Sequence, residues 1–195
     1  MIMPDVLSDE LLLTRIAVGD REAFADLFRR RHRDVYRFAL HVCGAPSVAD
    51  DVVQDVFVAV IGAAAAYRPE RSAALPWLLG IARNHVRRRA DRDRPFAPWG
   101  EDAPAPDSDP AAGVAKRELV AAVRQALATL PVGYREAIAL CDLQELSYAD
   151  AAAALGCAVG TVRSRLHRGR ALLADRLRAG HEDEARGFSI ARWLL

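Results

Sequence analysis

The sequence predicts an all-α protein made of two small helical domains, joined by a linker rich in Pro, Ala and Asp. Three observations support this prediction. Apolar residues recur with helical spacing along most of the 195 residues. Capping residues and glycines bound these stretches. No alternation of apolar and polar residues is long enough to predict a strand.

The first domain is expected over residues 1–94. A short helix is predicted from Ser8 to Val18, and Asp20 can cap a long helix that ends at Gly44. The apolar residues of this long helix follow the i, i+3, i+4, i+7 pattern of one buried stripe, namely Phe24, Leu27, Phe28, Val35, Phe38, Ala39 and Val42.

Two further helices complete the predicted first domain. Ser47, followed by Asp50 at the spacing of a capping box, predicts the start of the third helix. The turn-rich segment YRPERSAALP then interrupts the helical pattern. A fourth helix is expected around Trp77, with its arginines outside.

The linker is predicted over residues 95–113, because five of the ten prolines fall there and Val, Leu and Ile are absent. A second domain is expected over residues 114–180, followed by a C-terminal extension over 181–195. We expect the apolar residues of this extension to pack on the second domain, with binding of a regulator as the alternative.

Residues 147–178 have the form of a helix-turn-helix. Ser147 starts a short Ala-rich helix that Gly156 ends, and a long helix follows from Val159. Residues 159–178 contain six arginines and one acidic residue. Arginine can bond two acceptors of a guanine edge or clamp a phosphate, so this pattern favours DNA binding. The alternative is a solvated helix face.

A second basic run, residues 83–94, holds six arginines and two aspartates. Trp77 and Tyr67 precede it, and basic groups beside aromatic rings are typical of proteins that bind unstacked DNA. The alternative is a basic helix end favoured by the helix dipole, with Trp77 in the core.

The third helix carries an acidic patch, formed by Asp50, Asp51, Gln54 and Asp55. This patch predicts either a protein-docking surface or an ordinary solvated surface.

Three segments, in this order, resemble the bacterial RNA polymerase sigma factors of the extracytoplasmic-function (ECF) group, within the sigma-70 family. ADDVVQDVFVAV resembles the helix that grips core polymerase, and ALPWLLGIARN resembles the promoter-melting segment. LPVGYREAIALCDLQELSYADAAAALGCAVGTVRSRLHRGR resembles the domain that binds the −35 element. The resemblance covers about Asp20 to Leu177.

This resemblance implies roles for individual residues. Core polymerase would be bound by Asp51, Gln54 and Asp55. The −10 element would be read and melted by Tyr67, Arg71, Ser72, Trp77, Arg83, Asn84, Arg87 and Arg88. The −35 element would be read by Thr161, Arg163, Ser164, Arg165, His167 and Arg168. Two positions depart from the family pattern: Gly80 stands where a basic residue is common, and Ala74 where Phe is common.

The implied partners are core RNA polymerase and promoter DNA, double-stranded at −35 and single-stranded at −10. The family often also has an anti-sigma factor. We expect a monomeric, non-enzymatic cytoplasmic protein without cofactor, metal or membrane insertion. The three cysteines are far apart, which argues against a disulfide scaffold or a zinc knuckle.

Two alternatives remain at this stage. A one-component helix-turn-helix regulator would bind operator DNA as a dimer and sense a ligand with its first domain. A small helical hydrolase or metalloenzyme would need a motif such as HExxH, GxSxG or a paired Cys/His set. The sequence contains none of these motifs, and its five histidines are scattered.

Overall fold

The computed structural model describes residues 7–92 and 114–193, with side chains described over 7–89 and 119–179. Every regular element in these ranges is helical, which confirms the predicted all-α class. The predicted linker lies outside the described residues.

Four α-helices and a short 3-10 turn form the first domain. They are α1 (Asp9–Ile16), α2 (Arg21–Cys43), α3 (Pro46–Ala63), the turn Ala64–Ala66, and α4 (Ala74–Arg92). The predicted Asp20 cap of α2 is confirmed, since its side chain accepts from the Ala23 amide. The Ser8 side chain caps α1 in the same way by accepting from the Leu11 amide. Gly44 ends α2 with φ of 75°, a conformation that glycine adopts without strain.

The predicted N-cap of α3, Ser47, is two residues too late, and the predicted capping mechanism is wrong. The helix begins at Pro46, its N-cap is Ala45, and no side chain caps it. Proline suits the first helical position because its φ is already helical and its missing N–H would have no partner there. Ser47 therefore lies inside the first turn instead of capping it.

The second domain also consists of four α-helices, with one π-helical turn. They are α5 (Val114–Ala128), α6 (Val132–Ile138), the π turn Ala139–Leu143, α7 (Tyr148–Leu155) and α8 (Val159–Trp193). The predicted limits of α7 are confirmed, since the Ser147 hydroxyl accepts from the Asp150 amide and Gly156 has φ of 57°. Helix α8 extends well past the predicted end at Arg178, to Trp193. The predicted packing of the extension lies outside the described side chains.

The two domains pack against each other and share one apolar cluster. Leu40 of α2 and Leu78 of α4 belong to the same cluster as Leu127, Leu140 and Leu155 of the second domain, and all five are buried. Helix α4 lies along α7, while α2 contacts α5 and α6. Nothing in the sequence predicts this contact.

A buried arginine of α6 ties the two domains together. The Arg135 guanidinium donates to the carbonyl oxygens of Val42 (2.5 Å), Ala128 (2.6 Å) and Leu130 (2.9 Å). Val42 lies in the last turn of α2, where carbonyl groups have no partner within the helix and a positive charge is favoured. Arg135 therefore caps a helix of the other domain, although burial lowers its pKa.

Candidate nucleic-acid interface

Helices α7 and α8 form the predicted helix-turn-helix, with α8 in the position of a recognition helix. Val162, Leu166 and Gly169 are buried on its inner side. Its N-terminal half exposes four of the six residues that the resemblance assigns to the −35 element, namely Arg163, Ser164, His167 and Arg168. This half of a recognition helix is the part that enters a major groove.

The other two residues of that set, Thr161 and Arg165, are half-buried. The Arg165 guanidinium lies over Gly133 at the start of α6. A Cβ atom added at Gly133 would be 3.6 Å from the Arg165 Nε atom. Arg163 lies 5.9 Å from the ring centre of Tyr148 on α7, within the range of a cation–π contact. The exposed face is thus supported from α6 and α7.

The loop before α4 contains the predicted −10 residues Tyr67, Arg71 and Ser72. Tyr67 is buried, its hydroxyl donates to the Ser72 carbonyl oxygen (2.8 Å), and its ring meets the Trp77 ring edge-on at 5.2 Å. Burial, together with the nearby Glu10 and other acidic groups, raises the pKa of Tyr67 to about 12. In this conformation Tyr67 holds the loop, whereas Arg71 is exposed and Trp77 half-buried.

Glu10, which sequence reasoning missed, fixes where α4 begins. Its carboxylate accepts from the backbone amide of Ala74 (3.1 Å), 64 residues away. Hydrogen bonds from its own backbone amide and from the Ala74 amide lower the pKa of Glu10. A carboxylate at this end of a helix satisfies an amide without a helical partner and complements the dipole. No local signal could reveal this contact, because Glu10 belongs to α1.

The four predicted −10 residues on the body of α4 lie on two sides of the helix. Asn84 and Arg88 are exposed. Arg83 and Arg87 instead face the second domain and both bind the carboxylate of Glu136 on α6, which is fully buried. Sequence reasoning missed Glu136, since a single acidic residue in an apolar helix carries no functional signal.

A cavity of about 330 Å³ lies between α4 and α7. Trp77, Arg83 and Asn84 line it from the first domain, and Ala154 from the second. Gly80, the position where the family pattern often has a basic residue, also lines it. A Cβ at Gly80 would lie 3.3 Å from the Ala154 carbonyl oxygen, so the missing side chain allows α7 to approach closely.

The residues assigned to polymerase binding lie together along α3. Asp51 and Gln54 are exposed, and Asp55 is partly exposed. Arg89 of α4 bridges the two carboxylates, with distances of 3.0 Å to Asp51 and 2.9 Å to Asp55, and His85 lies 3.5 Å from Asp55. The acidic strip is therefore partly neutralised by the chain itself.

Two exposed apolar residues extend this strip. The apolar pattern of α3 predicts Ile61 as part of its buried stripe, which is wrong, and Val58 was missed. Val58 is 64% and Ile61 60% exposed, and they follow Asp51, Gln54 and Asp55 at helical spacing on the same face. The signal was available in the sequence, because the i+3 and i+4 spacing places all five on one stripe. Large exposed apolar residues beside charges are typical of protein contacts.

In the part of the chain that the structure describes, no group of three or more His, Cys, Asp and Glu could hold a metal ion. None of the helices there is both long and apolar enough to cross a membrane. The three cysteines are free, and burial raises the pKa of both Cys43 and Cys141 to about 11.

Comparison with known families gives two matches, one in each domain. The family described as Sigma-70 region 2 matches residues 27–95, and the family described as Sigma-70, region 4 matches residues 121–173. The first match covers most of α2 together with α3 and α4, and the second covers α7 and the N-terminal part of α8.

Two solved structures share the fold over most of the chain. CnrH, in complex with the cytosolic domain of CnrY, is 30% identical with a TM-score of 0.68, covering 88% of this chain and 97% of that chain. The sigma factor RpoE of Bartonella quintana, in complex with the anti-sigma factor NepR, is 26% identical with a TM-score of 0.63, covering 80% and 98%.

Curated relatives match at similar coverage. The ECF RNA polymerase sigma factor SigM of Mycobacterium tuberculosis is 39% identical over 169 residues, covering 86% of this chain and 83% of that protein. SigE of Mycolicibacterium smegmatis, of the same class, is 38% identical over 187 residues, covering 91% and 72%. These matches do not favour the dimeric operator-binding regulator. The chain belongs to the sigma-70 family as an ECF sigma factor, a protein that binds core RNA polymerase and directs it to promoters.

Proposed function

We propose that the two domains divide the reading of a promoter between them. The first domain, residues 1–94, would hold core polymerase and read and melt the −10 element, and the second, residues 114–180, would read the −35 element. The observation that carries this proposal is the exposed N-terminal half of α8, with a buried apolar face behind it. Such a helix presents its side chains to base edges without unfolding the domain.

Neither domain needs high affinity for DNA alone. Two weak sites on one chain raise each other's effective concentration, provided that their spacing matches that of the two promoter elements. Core polymerase would set that spacing. Flipping a base out of the duplex costs a few kcal/mol, and a pocket for the base near Trp77 and Asn84 would offset this cost and make melting depend on sequence.

Core polymerase would dock on the acidic strip of α3, formed by Asp51, Gln54 and Asp55. The pairing of both aspartates with Arg89 is partly exposed, and surface pairs of this kind contribute only ~0–1 kcal/mol. Basic groups of the polymerase can therefore replace Arg89 at little cost.

We also propose that the chain is a monomer of the cytoplasm, with no enzymatic activity of its own, and that an anti-sigma factor regulates it. Support for this regulator comes from RpoE of Bartonella quintana, which was solved in complex with an anti-sigma factor. Gel filtration of the chain alone, with a DNA shift in the absence of polymerase, tests the monomer. A dimer that binds its target selectively without polymerase would contradict the proposal.

The decisive experiment combines the chain with purified core polymerase and a promoter library, followed by sequencing of the transcripts. We expect transcription only from promoters with both elements at one spacing.

Arg168→Ala should weaken use of the −35 element by ~1–3 kcal/mol and relax base preference there. Arg176→Ala, an exposed arginine farther along α8, is the matched control and should change neither. An equal loss on all −35 sequences would make Arg168 a phosphate contact only.

Docking on polymerase has its own test. Asp51→Arg reverses a charge in the strip and places it beside Arg89, so we expect loss of co-purification with core polymerase while the circular dichroism spectrum stays unchanged. Asp175→Arg makes the same charge change on α8 and should co-purify normally. Normal co-purification of Asp51→Arg would exclude the strip as the docking surface.

A further inference from the structure

The loop before α4 is fixed at both of its ends by contacts within the first domain. At its start, the buried Tyr67 donates its hydroxyl to the Ser72 carbonyl oxygen at 2.8 Å, and its ring meets the Trp77 ring at 5.2 Å. At its end, Ala74 donates its backbone N–H to the Glu10 carboxylate at 3.1 Å. The four residues that follow Tyr67 are exposed. The loop therefore presents an exposed tip between two fixed points.

The contact with Glu10 supplies a helix cap that the local sequence does not give. Ala73 lies at the N-cap position of α4, and its carbonyl oxygen accepts from the Trp77 amide at 3.3 Å. Its own side chain has no acceptor, and the Ser72 hydroxyl donates to the Ala73 carbonyl oxygen instead of accepting from α4. Because the first amides of a helix have no partner within that helix, the distant carboxylate of Glu10 does what an N-cap side chain usually does.

Helix α1 holds Glu10 in a fixed position. The residue before it, Asp9, is buried and forms ion pairs with Arg30, at 3.3 Å, and with Arg31, both on α2. On its apolar side, α1 buries Leu12, Leu13 and Ile16. Since α1 is tied to α2 by ionic contacts and by its apolar face, the Glu10 carboxylate cannot follow the loop when the loop moves. Glu10 is thus an anchor for the start of α4.

We propose that Glu10 is a positioning residue for the −10 element: through the Ala74 amide, it holds the loop in the conformation that receives unpaired bases, without touching DNA itself. This inference rests on the proposed −10 role of the loop and deepens it. A loop that is ordered in advance loses less conformational freedom when a base binds. Glu10 therefore contributes to discrimination at −10. It contributes neither to docking on polymerase nor to reading of the −35 element, since those residues lie on α3 and α8.

Hydrogen–deuterium exchange of the full chain, read by mass spectrometry, tests whether Glu10 holds the loop, and it uses neither polymerase nor DNA. In Glu10→Ala, the Ala74 amide, read from peptides within residues 72–79, should exchange roughly tenfold faster, because a hydrogen bond to a charged group is lost. Glu22→Ala is the matched control, since it removes an exposed carboxylate from the first turn of α2. It should exchange as the wild type does. Unchanged exchange of the Ala74 amide in Glu10→Ala would overturn the proposal.

Transcription with core polymerase tests the effect on promoter reading. The quantity measured is the −10 ratio, defined as the transcripts from a promoter with the preferred −10 element divided by those from the same promoter with one −10 base substituted. Unlike total activity, this ratio does not depend on how much of the chain is folded. A contacted base pair typically gives about five- to a hundredfold discrimination, and a loop that moves loses most of it, so Glu10→Ala should lower the −10 ratio roughly fivefold. The corresponding −35 ratio should not change.

A conservative variant separates the hydrogen bond from the negative charge. Glu10→Gln keeps a side-chain oxygen that can accept from the Ala74 amide, although it carries no charge. We expect it to retain most of the −10 ratio and most of the protection of the Ala74 amide, whereas Glu10→Ala loses both. A Glu10→Gln variant as impaired as Glu10→Ala in both measurements would show that the charge acts by another route, and would contradict the proposal.

A change on the donor side of the contact completes a double-mutant cycle. Ala74→Pro removes the amide that Glu10 binds, and proline is well suited to the first position of a helix. In that background, Glu10→Ala has no hydrogen bond left to break, so adding it should not change the −10 ratio further. An equal loss from Glu10→Ala in the two backgrounds would mean that Glu10 does not act through the Ala74 amide.

The outcomes separate this inference from the proposed function. A wild-type chain with a strong −10 preference that Glu10→Ala leaves unchanged would overturn the positioning role and leave the proposed function standing. A wild-type chain that shows no −10 preference with core polymerase would overturn the −10 role of the first domain and, with it, the positioning role. Faster exchange of the Ala74 amide in Glu10→Ala would then stand only as a property of the fold.

Discussion

The close approach of α6 and α8 at Gly169 gives a sharp test of how the recognition helix is held. In Gly169→Ala, the new Cβ would lie 3.1 Å from the Ile138 Cδ1 atom and 3.1 Å from the Tyr134 Cβ atom. The Ile138 methyl group can rotate away. The Tyr134 Cβ is attached directly to the backbone of α6, so α6 itself must move by a few tenths of an ångström.

Two opposing contributions decide the magnitude. Alanine in the interior of a helix is favoured over glycine by ~1 kcal/mol. Overpacking at a contact that cannot yield typically costs ~1–3 kcal/mol. Because the contact with Tyr134 involves an atom that no side-chain rotation can move, we expect the second contribution to dominate, with a net loss of about 1 kcal/mol in the free energy of unfolding.

Urea denaturation of the full chain, followed by circular dichroism, measures this loss. Gly160→Ala, in the first turn of the same helix, is the control because a Cβ there meets nothing within 4 Å. It should leave the stability unchanged or raise it slightly. The reasoning fails if Gly169→Ala is as stable as the wild type or more stable, since the contact with Tyr134 would then cost no more than the gain in helix propensity.

Two further predictions concern Arg135 and His41. Arg135→Met should lower the free energy of unfolding by about 3 kcal/mol, since carbonyl groups that the guanidinium now binds would be left buried without a donor; a loss below about 1 kcal/mol in urea denaturation would contradict this. Burial beside Arg124 and Arg37 lowers the pKa of His41 from 6.5 to about 4, so the folded chain excludes a proton that the unfolded chain accepts. Stability should therefore fall as the pH drops from about 6.5 to 4, by up to ~3 kcal/mol, and His41→Gln should remove this part of the pH profile. An unchanged profile in His41→Gln would assign the acid sensitivity to other groups.

Several features followed from the sequence because their causes are local. Asp20 and Ser147 cap helices through an amide three residues away, and Gly44 and Gly156 adopt the left-handed conformation that ends a helix. The division of α8 into a buried and an exposed face also follows, since 3.6 residues per turn fix which side chains share a side. Interactions this short depend little on the rest of the fold.

One local prediction failed for a local reason. The pair Ser47 and Asp50 has the spacing of a capping box, but Pro46 is a better first residue for a helix than Ser47 is an N-cap here. Both start signals lie within residues 46–50, and the restricted φ of proline decided between them.

The sequence alone determined the all-α class, the helix-turn-helix and the stripes that carry the proposed DNA and polymerase contacts. Only the tertiary structure decided which partner each charged side chain binds. Arg87 binds the carboxylate of Glu136, 49 residues away, and Glu10 binds the backbone amide of Ala74, 64 residues away. Arg135 binds the carbonyl oxygen of Val42, 93 residues away. The physical reason is that a guanidinium binds any carboxylate or carbonyl group of suitable geometry. Which one it binds depends on how whole helices pack, and that depends on apolar surfaces contributed by the entire chain.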